Sequence, residues 1–207
     1  MQKINRNPNL YIQLGIFALV WGVILIATDI LSASNLTPIA KKFPIAVTIY
    51  MIIVLVFTKS LWKLSIFQGW LVKIPNIHGT WRGELRSTWK NPETGVLVDP
   101  IPAVLVIKQD YFQIHCSLFT PESTSHSLAA DLFKNESGLM YLSYNYTNRS
   151  SAVVRVRSEM HDGATILQFI HEPKSLKGEY WTSRQSTGEM EFVFESAELA
   201  EKYSEKG

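Results

Sequence analysis

From Asn7 to Thr28 the chain runs 22 residues without a charge, through LGIFALVWGVILIAT. Few features restrict a fold more. A helix rising about 1.5 Å per residue would carry such a run across a hydrocarbon core of about 30 Å. A second uncharged run, Phe43 to Thr58, has 16 residues between Lys42 and Lys59. It is slightly short by the same measure, but lysines at both ends can reach the interface along their own stems. Trp62 and Trp70, among Lys63 and Lys73, have the placing of interfacial anchors. The pattern predicts two transmembrane helices, about 8–30 and 43–63, joined by a loop from about Leu31 to Lys42. A cleaved signal peptide followed by one anchor is the competing reading, and the first run is longer than the roughly 7–15 residues of a signal core.

Charge divides the chain at the same place. Residues 1–75 hold seven Lys/Arg and one acid, whereas residues 76–207 hold thirteen Lys/Arg and seventeen Asp/Glu. The basic excess therefore flanks the apolar runs, where it leans toward both ends of the helix pair being cytoplasmic. It does not mark a nucleic-acid surface. Gln13, Thr48 and Tyr50 are the polar members inside the runs and none carries charge, which argues against a pump or carrier. The single Cys116 excludes an internal disulfide, and its alternating apolar surroundings read as a buried, inert thiol.

Beyond Pro75 the apolar period changes from helical to two. In TWRGELRSTW, Arg82, Glu84 and Arg86 take one face, with Trp81, Gly83 and Leu85 on the other. Further strands are expected at Ile101 to Gln109, Tyr111 to Thr120, Ser123 to Phe133, Leu139 to Tyr146 and Ala152 to Arg157. Ala164 to Ile170, Leu176 to Arg184 and Glu189 to Glu195 complete the set, and Ser196 to Lys206 reads as a short closing helix. Many short strands with charged outer faces predict a mostly antiparallel, roughly eight-stranded, lipocalin-like β-barrel over 76–207. Closure satisfies every strand edge, and eight strands leave room for one small ligand. Gly79-Thr80-Trp81 matches the Gly-x-Trp opening of such barrels, in which the indole plugs one end.

The inward positions are not uniformly apolar. Phe112, Ile114, Cys116 and Leu118 are expected inside on one strand, and Met190, Phe192 and Phe194 on another. Alternation also sends Tyr180, Thr182 and Arg184 inward, together with Tyr144, Tyr146 and the serines of PESTSHS. Hydroxyls, aromatic faces and a guanidinium suit a nucleotide, by stacking on bases and meeting phosphates. The plainer readings are half-buried strand aromatics, a serine loop begun by Pro121, and an Arg184 at the rim beside the turn Gln185 to Gly188. No nucleophile elbow, phosphate-binding loop or dinucleotide fingerprint is present, and the five histidines lack zinc spacing. His161-Asp162-Gly163 reads as a hairpin turn. No enzyme hypothesis has a motif behind it.

Two apolar runs, GTWRGEL, Thr120 to Ser127, LSYNYTN, HDGA and GEYWTSRQSTG follow one another in a single order. In that order they resemble the CD-NTase-associated membrane effectors of bacterial CBASS antiphage systems, over essentially the whole chain. The resemblance implies a non-enzymatic receptor whose barrel binds a cyclic dinucleotide made by a partner CD-NTase. It further implies no cofactor and no nucleic-acid polymer, contact with membrane lipid, self-association into oligomers, and disruption of the bacterial inner membrane. The barrel would lie in the cytoplasm. Carried over by residue, the resemblance nominates Thr120, Ser125, Ser127, Tyr144, Asn148, Tyr180, Thr182 and Arg184 as ligand contacts. A membrane-anchored, lipocalin-like carrier of a small apolar ligand is the alternative, and an assembly module with a packed barrel is a third reading.

Overall fold

Trp81 is wholly buried at the start of the first long strand, with Leu85 behind it, while Arg86 stands in water. Repeating that alternation around a ring builds the larger of two units in this computed structural model. The structure describes residues 2–4, 10–28, 37–91, 93–151, 159–171 and 174–204. One unit comprises residues 1–4 and 74–207, the other residues 5–73.

In the first unit a two-residue strand β1 (Gln2–Lys3) precedes β2 (Gly79–Ser87), β3 (Ile101–Gln109), β4 (Ile114–Phe119) and β5 (Ser123–Lys134). Then follow β6 (Met140–Ser150), β7 (His161–Ile170), β8 (Ser175–Thr182) and β9 (Thr187–Ser196). From β2 to β9 each strand pairs antiparallel with the next, and β9 returns to β2. The predicted eight-stranded closed meander is therefore present. Each strand lends alternate side chains to the interior, so one ring of residues is both core and lining.

The two ends of the barrel differ in chemistry. The chain enters at the base, where Trp81 donates its indole N–H to the Ile77 carbonyl over 3.0 Å and meets the Phe194 ring edge-on at 5.3 Å. Leu105, Ile107, Leu132, Leu142, Leu167 and Phe192 fill the space above it, each fully buried. The ammonium of Lys174 lies 3.7 Å from the Phe194 ring centre, and burial lowers its pKa. The plug is thus a packed aromatic floor.

Several sequence expectations need correction. Phe112 does not face inward: it is 48% exposed in an Asx turn in which Asp110 Oδ1 accepts from the Phe112 and Gln113 N–H groups at 2.9 and 2.8 Å. The strand there begins only at Ile114. Strand β8 ends at Thr182, so Arg184 belongs to the following turn. His161 opens β7 rather than a hairpin turn. No closing helix forms among the described residues after Ser196. That tail lies on the outer face of β2, where Thr80 Oγ1 donates to the Glu198 carbonyl and accepts from the Ala200 N–H, at 2.6 and 3.0 Å. Those two peptide groups are held by a side chain instead of by a helical turn. The strand expected at Ala152 to Arg157 falls outside the described residues.

The second unit holds α1 (Leu10–Ala27) and α2 (Thr37–Lys59). Their contacts run in opposite senses: Tyr50 donates to Gln13 Oε1 at 3.3 Å, and Trp21 meets Phe43 edge-on at 5.6 Å. α2 starts six residues earlier than expected, so Lys41 and Lys42 lie in its opening turns and not in a loop. It also stops at Lys59, before the short 3₁₀ turns Leu61–Lys63 and Ser65–Phe67. Pro44 sits inside α2, and Thr48 Oγ1 donates to its carbonyl at 2.9 Å. Ala40–Lys59 is long and apolar enough to cross a membrane, and little of it is buried. The apolar stretch Tyr11–Ala27 of α1 is shorter.

Candidate ligand site at the barrel mouth

Reading β6 from base to mouth, the buried side chains are Leu142, Tyr144, Tyr146, Asn148 and Ser150. Apolar gives way to aromatic and then to polar within one strand. The opposite strands follow the same gradient: Leu167, Thr165 and His161 on β7, and Leu176, Tyr180 and Thr182 on β8. Strand register brings these residues together, since Tyr144 faces Thr165, Thr165 faces Tyr180, and Asn148 faces both Ser125 and His161.

At the mouth Asn148 organises a hydroxyl cluster. Its Nδ2 donates to Ser125 Oγ at 2.9 Å and to Ser123 Oγ at 3.1 Å, and its Oδ1 accepts from Ser150 Oγ at 3.4 Å. Ser125, Asn148 and Ser150 are buried and carry no charge. Such groups are tolerated inside because they satisfy each other.

Below that layer the polar accounting fails at one atom. Tyr144 is 2% exposed, yet its phenolic oxygen has no hydrogen-bond partner among the described residues. Burial pushes its pKa far above the usual phenol range, with Cys116 and Tyr146 adding to the rise, so the group is a neutral O–H donor and acceptor. Tyr146 is shifted the same way by burial. The two rings are 5.9 Å apart and tilted. Tyr146 lies against Gly163 and Tyr180 against Gly188, its direct cross-strand partners. A Cβ at Gly163 would stand 2.5 Å from the Tyr146 ring, and one at Gly188 would stand 2.6 Å from the Tyr180 ring. The glycines are what let these aromatics lie flat along the wall.

A guanidinium and an imidazole stand at the rim. Arg184 is exposed in the β8–β9 turn, which is fastened to β7 by Ser183 N–H donating to the Asp162 carbonyl at 2.8 Å. Its guanidinium acts electrostatically on both Tyr146 and His161. His161 is half-buried, and burial lowers its pKa, opposed by the Glu159 carbonyl 3.0 Å from Nδ1. At neutral pH its ring is uncharged. The outward charges of β2, β8 and β9 form a separate patch, with Lys177–Glu191 at 3.2 Å and Arg86–Glu84 at 2.6 Å. A shallow surface depression lined by Glu84, Arg86, Lys177, Glu189, Met190 and Glu191 lies there, and its three carboxylates repel anions.

Of the eight residues nominated from sequence, Ser125, Asn148, Tyr144, Tyr180 and Thr182 line the upper interior, and Arg184 stands on the rim. Thr182 Oγ1 is 2.7 Å from Ser186 Oγ, so part of its bonding capacity closes the turn. Thr120 lies in the β4–β5 hairpin, where its Oγ1 accepts from the Ser123 N–H at 3.0 Å. Ser127 is lower in the wall, at a bulge between Ser127 and Ala129, with its Oγ accepting from the Cys116 N–H at 2.9 Å. Sequence reasoning passed over Ser150 and His161. Period two extended from Tyr144 and Asn148 reaches Ser150, whereas reading HDG as a turn concealed His161.

The chain thus joins an eight-stranded barrel with a packed base, a neutral polar mouth and an arginine on its rim to a helix long and apolar enough to cross a membrane. The comparisons name the family. Residues 72–193, more than half of the chain, match the family described as "Cap15, cyclic dinucleotide receptor domain", and the chain belongs to that family. It is 28% identical over 144 residues to the "CD-NTase-associated protein 15" of Staphylococcus schleiferi, covering 70% of this chain and 74% of that relative. Both agree with the CBASS resemblance of the sequence.

Proposed function

We propose that the barrel mouth binds a cyclic dinucleotide second messenger and that occupancy drives the helices to self-associate in a bacterial inner membrane, breaching it and ending the infected cell. The observation that carries this reading is the buried, partnerless Tyr144 hydroxyl beneath the Ser125–Asn148 cluster. Leaving such a group unmade costs about 1–3 kcal/mol, and a base edge reaching down from the mouth would satisfy it. Tyr146 and Tyr180 then offer faces for stacking, and Arg184 is placed to meet phosphate from the rim. Ligand shifts the assembly equilibrium to the extent that it binds the assembled form more tightly.

Two further observations support the membrane part. Both helices carry exposed apolar faces, including Leu19 at 67% and Leu55 at 58%, and both would cross the bilayer. The chain leaves the barrel unit after Ile4 and rejoins it at Ile74, a connectivity that agrees with a two-helix excursion. Against the carrier alternative, the deep interior is filled by side chains where a greasy ligand would lie.

The test is equilibrium binding of the full chain, in detergent micelles, to a panel of cyclic dinucleotides with purine and pyrimidine bases. At least one should bind, and Arg184→Ala should weaken it tenfold or more without moving the unfolding temperature. Binding of a fatty acid with indifference to the whole panel would refute the reading.

A further inference from the structure

One seam interrupts the barrel wall. β6 pairs with β5 along its whole length, from Ser123↔Ser150 to Lys134↔Met140. β4 pairs with β5 only near the mouth, from Ser117↔His126 to Phe119↔Thr124. Below the bulge at Ser127/Ala129 the two strands part, and Leu128 there is 73% exposed. The lower edge of β5 is taken by β1, with Gln2↔Lys134 and Lys3↔Phe133 as partners and the Ile4 N–H donating to the Leu132 carbonyl at 3.4 Å. The Leu132 N–H is capped by Asp131 Oδ1 at 2.8 Å. A side chain thus closes a donor that a longer added strand would use, which reserves this edge for a short occupant.

We infer that β1 is a detachable strap, tying α1 to the same strand that forms part of the ligand site, and that its release passes mouth occupancy to the helices. The inference rests on the reading of the mouth given above. Four observations carry it. β5 holds Ser123 and Ser125 at one end and the β1 dock at the other, so one continuous element joins the two. Its bulge replaces a backbone rung by the Ser127 hydroxyl, and a bulge is where strand register can shift. A ladder of two paired positions is a short attachment, at the low end of local stability. Only residues 5–9 separate Ile4 from the start of α1 at Leu10.

The test locks the strap. In the full chain, Lys3→Cys with Phe133→Cys places two thiols at paired positions, and the buried Cys116 thiol, its pKa raised by burial, does not compete. Reconstituted in phospholipid vesicles holding a trapped dye, the variant should oxidise within a single chain. The oxidised form should still bind nucleotide from the same panel, but more weakly than the reduced form, because a ligand that releases the strap has to bind the released state more tightly. Nucleotide-triggered dye release should fall at least tenfold on oxidation and return on reduction. Failure to form the intrachain disulfide, or equal release in both states, overturns the strap while leaving the mouth reading intact. If no nucleotide binds either form, the mouth reading falls, and assembly without nucleotide decides the strap. The oxidised form should then stay smaller by sedimentation than an Ile4→Pro variant, which lacks the N–H donated to Leu132; equal sizes overturn it.

Discussion

Asn148 faces Ser125 across the β5–β6 ladder and donates its amide to the serine oxygen over 2.9 Å, with both residues buried. Twenty-three residues apart in sequence, they form the neutral hydroxyl layer at the mouth. Replacing Asn148 by Leu removes two donated bonds and leaves Ser123 and Ser125 short of a partner. We expect a loss of about 1–3 kcal/mol, read by urea unfolding, together with loss of nucleotide binding. Unchanged stability would mean that the cluster is already solvated.

Tyr144→Phe should act in the opposite sense on the free protein. The deleted oxygen has no partner among the described residues, so the variant should be as stable as the parent or more stable, by up to about 1 kcal/mol. Nucleotide affinity should fall about tenfold if that hydroxyl meets the base. Thermal unfolding and a binding isotherm on one sample separate the two effects.

Gly163→Ala tests the seating of Tyr146. The added methyl would stand 2.5 Å from the ring, so either the tyrosine or the strand has to move. Overpacking of this kind costs about 1–3 kcal/mol. The accompanying change in tyrosine near-ultraviolet dichroism distinguishes displacement of the ring from a general loss of structure.

His161 supplies a pH dependence with a definite sign. Burial lowers its folded pKa below the unfolded value, so the unfolded chain binds more protons in that window. The stabilising contribution is complete above the unfolded pKa and is lost as pH falls through it toward the folded value. The unfolding temperature without ligand should therefore drop as pH falls below about 6.5, and His161→Gln should remove part of that drop. An identical pH profile in the variant would assign the effect to other groups.

Trp81→Ala should be the most damaging of these changes, costing about 3–5 kcal/mol in chemical unfolding, because the indole is fully buried and plugs the base. Preserved nucleotide affinity in whatever fraction remains folded would show that floor and mouth act independently.

Much of the barrel was legible because an exposed outer face and a buried inner face impose period two directly on the chain. Ile101–Gln109 was read to the residue on that ground. The misreadings share a cause. The tail after Ser196 has helical composition, but its Glu198 carbonyl and Ala200 N–H are engaged by Thr80, more than a hundred residues away. Phe112 was assigned inward by alternation, but Asp110 turns the chain before the strand begins. Ser127 shares the parity of Ser125, yet the bulge beside it breaks the register.

The amino-acid sequence by itself determined two apolar runs and a barrel-forming alternation, since these follow from local period and composition, while the candidate site residues came from the resemblance. Only the tertiary structure decided which of the candidate residues meet. Ring closure sets the register between distant strands, and register decides that Asn148 finds Ser125, that Tyr144 finds no partner, that Arg184 stands on the rim, and that Gln2–Ile4 docks beneath the bulge of β5.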